Sequence, residues 1–231
     1  MSRFVRFQST IWTMIRDAKE DAPGAFDSLV RLYREPVRRF LRSRNIRREL
    51  AEDLVQEVFL RVFQKDLLQK VEKSKGKFRS FLLGVTNNII RESVSRAQAA
   101  KRGGSAVHVP LEASGLDVAA KDESDFEREW MLHLVRLSMK SLAASKSEAV
   151  RRDLAIFRKF MRDRPTYEEL QKEFKVTSHG VKNALYETRR RIKKEVESLV
   201  NSYTVSSADF EEEMSLFDSR AKPTLAGKGK S

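Results

Sequence analysis

The chain contains no cysteine, which excludes disulfides and every thiolate metal site. It has only three histidines, His108, His133 and His179, far apart and without the spacing of a metal-ligand set. Glycine is scarce, nine residues in 231, and none builds a phosphate-cradling loop; Gly103-Gly104 is an isolated pair. No apolar run approaches the length that spans a bilayer. Residues 1–20 lack an apolar segment ending in a cleavage site, so no secretory signal is expected and the expected location is cytoplasmic. These absences leave little for enzyme chemistry: no catalytic residue, no metal and no cofactor are expected.

What the chain has in excess is positive charge. Lys and Arg number 46 against 33 Asp and Glu, a formal net charge of +13 and a pI near 10.0. Cationic side chains that meet phosphates release counterions, so a nucleic acid is the first partner to consider. An anionic membrane surface would use the same charge, and net charge alone does not separate the two. Placement says more. Arginines crowd residues 31–48 (Arg31, Arg34, Arg38, Arg39, Arg42, Arg44, Arg47, Arg48), and lysines crowd residues 70–77. Acids gather instead in residues 107–125, where Glu112, Asp117, Asp122, Glu123 and Asp125 accompany Pro110 and Gly115.

Apolar periodicity predicts an all-α fold. A short helix is expected over residues 10–19, then a break at Asp21-Ala22-Pro23-Gly24, then a helix through Phe26, Leu29, Val30 and Tyr33 with a kink expected at Pro36. The clearest stripe is Ala51, Leu54, Val55, Val58, Phe59, Val62 and Phe63, spaced as one face of a helix. Phe78, Phe81, Leu82, Val85 and Ile89 mark another helix, expected to run to about Arg96. Helical pattern returns over residues 126–139 and 147–161. Thr166 and Glu169 then form a capping-box pair, and after a turn at residues 175–178 a second helix is expected to about Leu199. The predicted organisation is two small helical domains, residues 1–100 and 126–200, joined by a flexible acidic linker over 101–125 and followed by a tail over 201–231. The tail is expected to be largely disordered. A second expectation is a short amphipathic helix carrying Phe210, Met214 and Phe217 that folds back on a basic face as a restraint.

Three constellations bear on function. Residues 166–194 have the layout of a helix–turn–helix. Val181, Leu185, Thr188, Ile192 and Val196 would face inward; His179, Lys182, Asn183, Tyr186, Arg189, Arg190 and Lys193 would face outward. Asn and Lys can read base edges, and Arg and Lys suit phosphates; an ordinary helical hairpin with a basic surface has the same pattern. The polar face of the 51–63 helix carries Asp53, Gln56 and Glu57 with Leu60 beside them. An exposed leucine among acids suits docking onto a protein, while a solvated face with an i,i+4 Glu57–Arg61 pair fits equally. Lys73, Lys75, Lys77 and Arg79 precede Asn87-Asn88, two poor helix formers placed mid-helix. Contact with unstacked bases explains them, and so does satisfaction of a buried polar group.

Taken together these residues resemble a family. Residues 51–59 (Ala-Glu-Asp-Leu-Val-Gln-Glu-Val-Phe) and 77–88 (Lys-Phe-Arg-Ser-Phe-Leu-Leu-Gly-Val-Thr-Asn-Asn) are similar to consecutive region-two helices of extracytoplasmic-function (ECF) RNA polymerase sigma factors. Tyr167-Glu168-Glu169-Leu170, the turn, and residues 181–191 are similar to region four. Residues 81–83 and 101–104 are most like planctomycete-type members. Phe81 stands where the family usually has tryptophan, Lys175 where the turn usually has glycine, and Gln171 where a small alanine is usual. The resemblance implies a region 2 bundle and a region 4 helix–turn–helix. Asp53, Gln56, Glu57 and Leu60 would dock on the β′ clamp helices of core RNA polymerase. Lys73, Lys75, Lys77, Arg79, Asn87 and Asn88 would act at the −10 element. His179, Lys182, Asn183, Tyr186, Arg189, Arg190 and Lys193 would act at the −35 element. It also implies the β flap, promoter DNA and an anti-sigma factor as partners. The alternative is a helix–turn–helix regulator that binds duplex DNA without polymerase.

Overall fold

The apolar stripes of helical period fold as helices in a computed structural model, which describes residues 11–20, 22–71, 78–102, 118–204 and 206–220. Among these residues there are ten helices and no strand: α1 (Ile11–Lys19), α2 (Ala25–Ser43), α3 (Arg48–Val62), α4 (Lys65–Gln69), α5 (Phe78–Arg102), α6 (Val118–Ala143), α7 (Glu148–Asp163), α8 (Tyr167–Phe174), α9 (Ser178–Tyr203) and α10 (Ser207–Arg220). The chain divides into two compact units, and the boundary falls between Trp130 and Met131, inside α6.

In the N-terminal unit, α1 packs on α2 and α4, α2 on α3, and α3 on α5. Leu29, Val37, Phe40, Leu41, Ala51, Val58, Val62, Leu82 and Ile89 are fully withdrawn from water and form the centre. The stripe predicted for the 51–63 helix is buried from Ala51 to Val62. Helix α2 runs unbroken through Pro36; the ring forfeits one backbone hydrogen bond, and the burial of Leu32, Tyr33, Pro36 and Val37 on that side holds the helix together. Lys19 closes the end of α4, its ammonium donating to the carbonyls of Val71 (2.7 Å) and Gln69 (3.3 Å).

The first half of α6 completes this unit. Trp130, only 1% exposed, stacks on Tyr33 with ring centroids 4.9 Å apart, and Tyr33 meets Phe78 edge-on at 5.1 Å. Phe126 meets Phe40 edge-on at 5.5 Å. Polar contacts frame the rings: Arg44 to Asp125 at 3.4 Å, Ser80 to Glu123 at 3.3 Å and Arg79 to Glu127 at 3.3 Å.

Several expectations are corrected. Helix α5 continues to Arg102, past the exit expected near Arg96. Helix α6 begins at Val118, so the last part of the expected linker is helical. The reason is tertiary: Phe126 and Trp130 anchor one face on the N-terminal unit, and the preceding acids fall on the turns that lead to it. The unit boundary accordingly lies after Trp130 rather than before residue 126. The rest of the expected linker, residues 103–117, lies outside the described residues.

In the C-terminal unit, α7 and α8 pack on each other and on α9, and α10 packs on α9. Leu134, Leu154, Ile156, Leu170, Val181, Val196 and Val200 make the core. Ser141 of α6 donates to Glu195 of α9 at 3.0 Å. Lys159 of α7 pairs with Glu173 of α8 at 2.6 Å. The largely disordered tail is also corrected. Residues 207–220 are helical, because Met214 and Phe217, spaced to share a face, are both buried. Residues 221–231 lie outside the described residues.

Candidate protein-docking and nucleic-acid surfaces

Helix α3 buries its stripe and turns Asp53, Gln56 and Leu60 to solvent on one line. Leu60 is 72% exposed, the most open large apolar side chain among the described residues. Such a leucine contributes nothing to the isolated fold; burial against a partner is worth about 1.5–3 kcal/mol. The neighbouring acids are committed inside the unit. Glu52 accepts from Arg34 at 2.7 Å. Glu57 accepts from Arg96 of α5 at 2.9 Å, and its i,i+4 partner Arg61 stands at 3.7 Å. Arg61 donates instead to both oxygens of Glu92 at 2.9 Å, which holds the Glu92 carboxyl below the usual carboxylate range. Three of the four expected docking residues therefore form one open surface, and Glu57 faces α5.

The arginine-dense segment is partly neutralised in the same way. Glu35 takes hydrogen bonds from Arg38 (2.8 Å) and Arg39 (2.6 Å). Burial raises the Glu35 carboxyl, and these hydrogen bonds outweigh it and leave the group below its ordinary value. Arg44 lies over the Phe40 ring and pairs with Asp125. Arg31, Arg47 and Arg48 remain exposed.

The expected −10 residues separate. Lys73, Lys75 and Lys77 lie outside the described residues. Arg79 is 5% exposed and ion-paired with Glu127, so it is a buried strut under α6 and not part of an open surface. A basic run points to phosphate, but an acid 48 positions away in the chain claims this member of it. Neither asparagine is fully buried: Asn87 is half-buried, and Asn88 is exposed and accepts from Arg91 at 2.9 Å. The buried polar group at this point of α5 is Thr86, whose hydroxyl donates to the Leu82 carbonyl.

The helix–turn–helix is built by its caps. Thr166 Oγ1 accepts from the Glu169 amide (3.3 Å), and Glu169 accepts from the Thr166 amide (2.8 Å), closing the capping box that starts α8. Helix α8 ends on Lys175 in the left-handed region, φ 51°, and Thr177 caps α9 by accepting from the Gly180 amide at 3.1 Å. A side chain at position 180 would bring its Cβ to 3.2 Å from that of Val176, so this tight turn uses glycine for close approach. Lys175 adopts the conformation that glycine takes most easily. Lys175→Gly is expected to stabilise the C-terminal unit by about 0.5–1 kcal/mol, the strain relieved less the added freedom of the unfolded chain; thermal unfolding checks this, and a lower midpoint would contradict it.

On α9, Val181, Leu185, Thr188, Ile192 and Val196 are all buried, joined by Ala184 and Val200. His179, Lys182, Asn183, Tyr186, Arg190 and Lys193 are exposed and Arg189 is half-buried. Tyr186 is 64% exposed. From His179 to Lys193 the face runs roughly 21 Å at 1.5 Å per residue, a length suited to a major groove. Arg190 folds onto Glu187 at 2.8 Å, and Lys193 reaches Asp218 of α10 at 3.0 Å. The residue the pattern hid is Asp153. It is buried on α7 and accepts from Arg191 of α9 at 3.1 Å, which fixes the helix that carries the outward face. An acid between Val150 and Leu154 on an otherwise apolar side was its only signal. Among the described residues no cluster of side chains could hold a metal ion, and no helix is long and apolar enough to cross a membrane.

No curated protein matches the chain. Residues 29–100 match the Sigma-70 region 2 family, a span that begins in α2 and ends in α5 and includes the open line of Asp53, Gln56 and Leu60. The chain therefore carries a Sigma-70 region 2 domain, formed by α2 to α5 within its N-terminal unit.

Proposed function

We propose that this chain is a sigma factor of the ECF type, similar to planctomycete-type members, which brings core RNA polymerase to a small set of promoters. The observation that carries this reading is the Sigma-70 region 2 match over residues 29–100. A capped helix–turn–helix follows it in the same chain, in the order a promoter-binding factor needs. In this reading Asp53, Gln56 and Leu60 meet the β′ clamp helices, with Glu57 at the edge of the contact. Lys73, Lys75 and Lys77 with Asn87 and Asn88 hold unstacked −10 bases. The outward face of α9 lies along the −35 element, its first residues at base edges and its later cations at phosphates. The second unit also meets the β flap, and an anti-sigma factor covers one of these surfaces when the regulon is silent. The polymerase supplies the chemistry, and the protein acts in the cytoplasm.

The test is reconstituted transcription: with cognate core polymerase the protein should yield promoter-specific product, and absence of such product ends the reading. A finer outcome concerns docking. The pair Asp53→Ala and Gln56→Ala, both exposed, should weaken core binding about tenfold or more while leaving the unfolding midpoint in place. Unchanged affinity in a titration of labelled protein with core enzyme refutes the docking role. A regulator working without polymerase would have no use for an open leucine on α3, and would bind duplex DNA specifically on its own.

A further inference from the structure

Helix α10 starts four residues after α9 ends and returns along it. Asp218, eleven residues into α10, meets Lys193, ten residues before the end of α9, at 3.0 and 3.1 Å. Nearly equal offsets from the shared turn are the signature of an antiparallel helical hairpin. The hairpin is held by Glu213, Met214 and Phe217, all buried, while Glu211 and Glu212 stay exposed. An acidic helix thus lies against a basic one. Its reach is limited: α10 ends at Arg220, and its ion pair falls at Lys193, beyond His179, Lys182, Asn183 and Tyr186.

We propose that α10 is an intramolecular competitor for DNA phosphate at the C-terminal end of the recognition helix, which lowers affinity without altering which bases are read. The inference rests on the −35 role assigned to α9. Lys193 sits where a helix in the groove passes the sugar-phosphate backbone, and phosphate contacts carry no sequence information directly. A carboxylate held on that ammonium must leave before a phosphate can take its place. Base-edge contacts from the first turns of α9 are untouched, so the restraint acts on all sequences alike.

The test uses the full chain and a 30-bp mixed-sequence duplex, read by fluorescence anisotropy over a salt series. Met214→Ser with Phe217→Ser undocks α10 without changing charge, and Asp218→Asn removes the tie to Lys193. Both should tighten binding several-fold and steepen the dependence of log K on log salt by about 0.9, one more phosphate engaged. Glu211→Gln makes the same charge change as Asp218→Asn on the exposed side of α10, and should give less than half its gain. Adding Lys193→Gln to the undocked variant should abolish the extra slope. Misfolding would weaken binding, so it cannot imitate the expected result. No tightening on undocking, or equal gains from Glu211→Gln and Asp218→Asn, overturns the proposal. The two readings fail separately: tightening without promoter-specific transcription keeps the restraint and removes the sigma assignment, and transcription without tightening does the reverse.

Discussion

Replacing Trp130 with alanine is expected to destabilise the N-terminal unit by about 3–5 kcal/mol, the usual cost of removing a buried aromatic ring. Trp130 is 1% exposed and stacks on Tyr33, with the planes only 15° apart. Tyr33 in turn touches Phe78, so one indole ties α6 to both α2 and α5. No rotation of a smaller neighbour refills that space, because Tyr33 is itself buried and packed against Phe78 as well. Natural domains hold only about 5–15 kcal/mol in reserve, so the loss should lower the unfolding midpoint of this unit by roughly 10 °C or more. Trp130→Phe keeps a ring against Tyr33 and should restore most of the difference. A midpoint within a few degrees of the parent for Trp130→Ala would mean that α6 does not dock in solution.

The second large effect is expected at Arg79. Its side chain is 6% exposed and that of its partner Glu127 is 17% exposed. Arg79→Ala removes the guanidinium 3.3 Å from a mostly buried carboxylate, a loss that costs about 3–5 kcal/mol in fully buried pairs; with Glu127 partly open to water, about 2–4 kcal/mol is the expectation here. Arg79→Met with Glu127→Leu removes both charges and should recover most of that loss, as apolar replacements of buried ion pairs often do. The same residue separates two roles. A phosphate-binding arginine would flatten the salt dependence of DNA binding by about 0.9 when lost and leave the unfolding midpoint alone. A strut does the opposite. Thermal unfolding and a salt titration on one variant therefore decide between them, and an unchanged midpoint with a flatter slope would return Arg79 to the DNA-binding set.

These two residues also show what was legible in the sequence. Stripes such as Ala51–Val62 and Val181–Val196 could be read directly, since helical spacing alone states which side must leave water. The capping box was equally plain, because Thr166 and Glu169 satisfy each other within one turn. What could not be read is where charge ends up. Arg79 belongs to a basic run, Glu57 to an acidic face, and Asp125 to a stretch with the composition of a solvated linker. Each is placed by a partner remote in the chain: Glu127 for Arg79, Arg96 for Glu57, Arg44 for Asp125. Composition counts such residues as surface, while burial depends on whether a counter-charge arrives. Helix α10 was missed as the main expectation for a related reason, since two apolar anchors among many acids stabilise a helix only when a receiving surface exists.

The position of Trp130 has a further consequence, for how such a module passes from one protein to another. The recognisable family pattern stops at residue 100, whereas the rings that close the unit, Phe126 and Trp130, come after it. A gene fusion joined at the end of the pattern would inherit every motif and leave Tyr33 and Phe40 uncovered against water. The heritable piece is therefore longer than the recognisable one, and swaps between relatives should survive when the joint lies beyond Trp130.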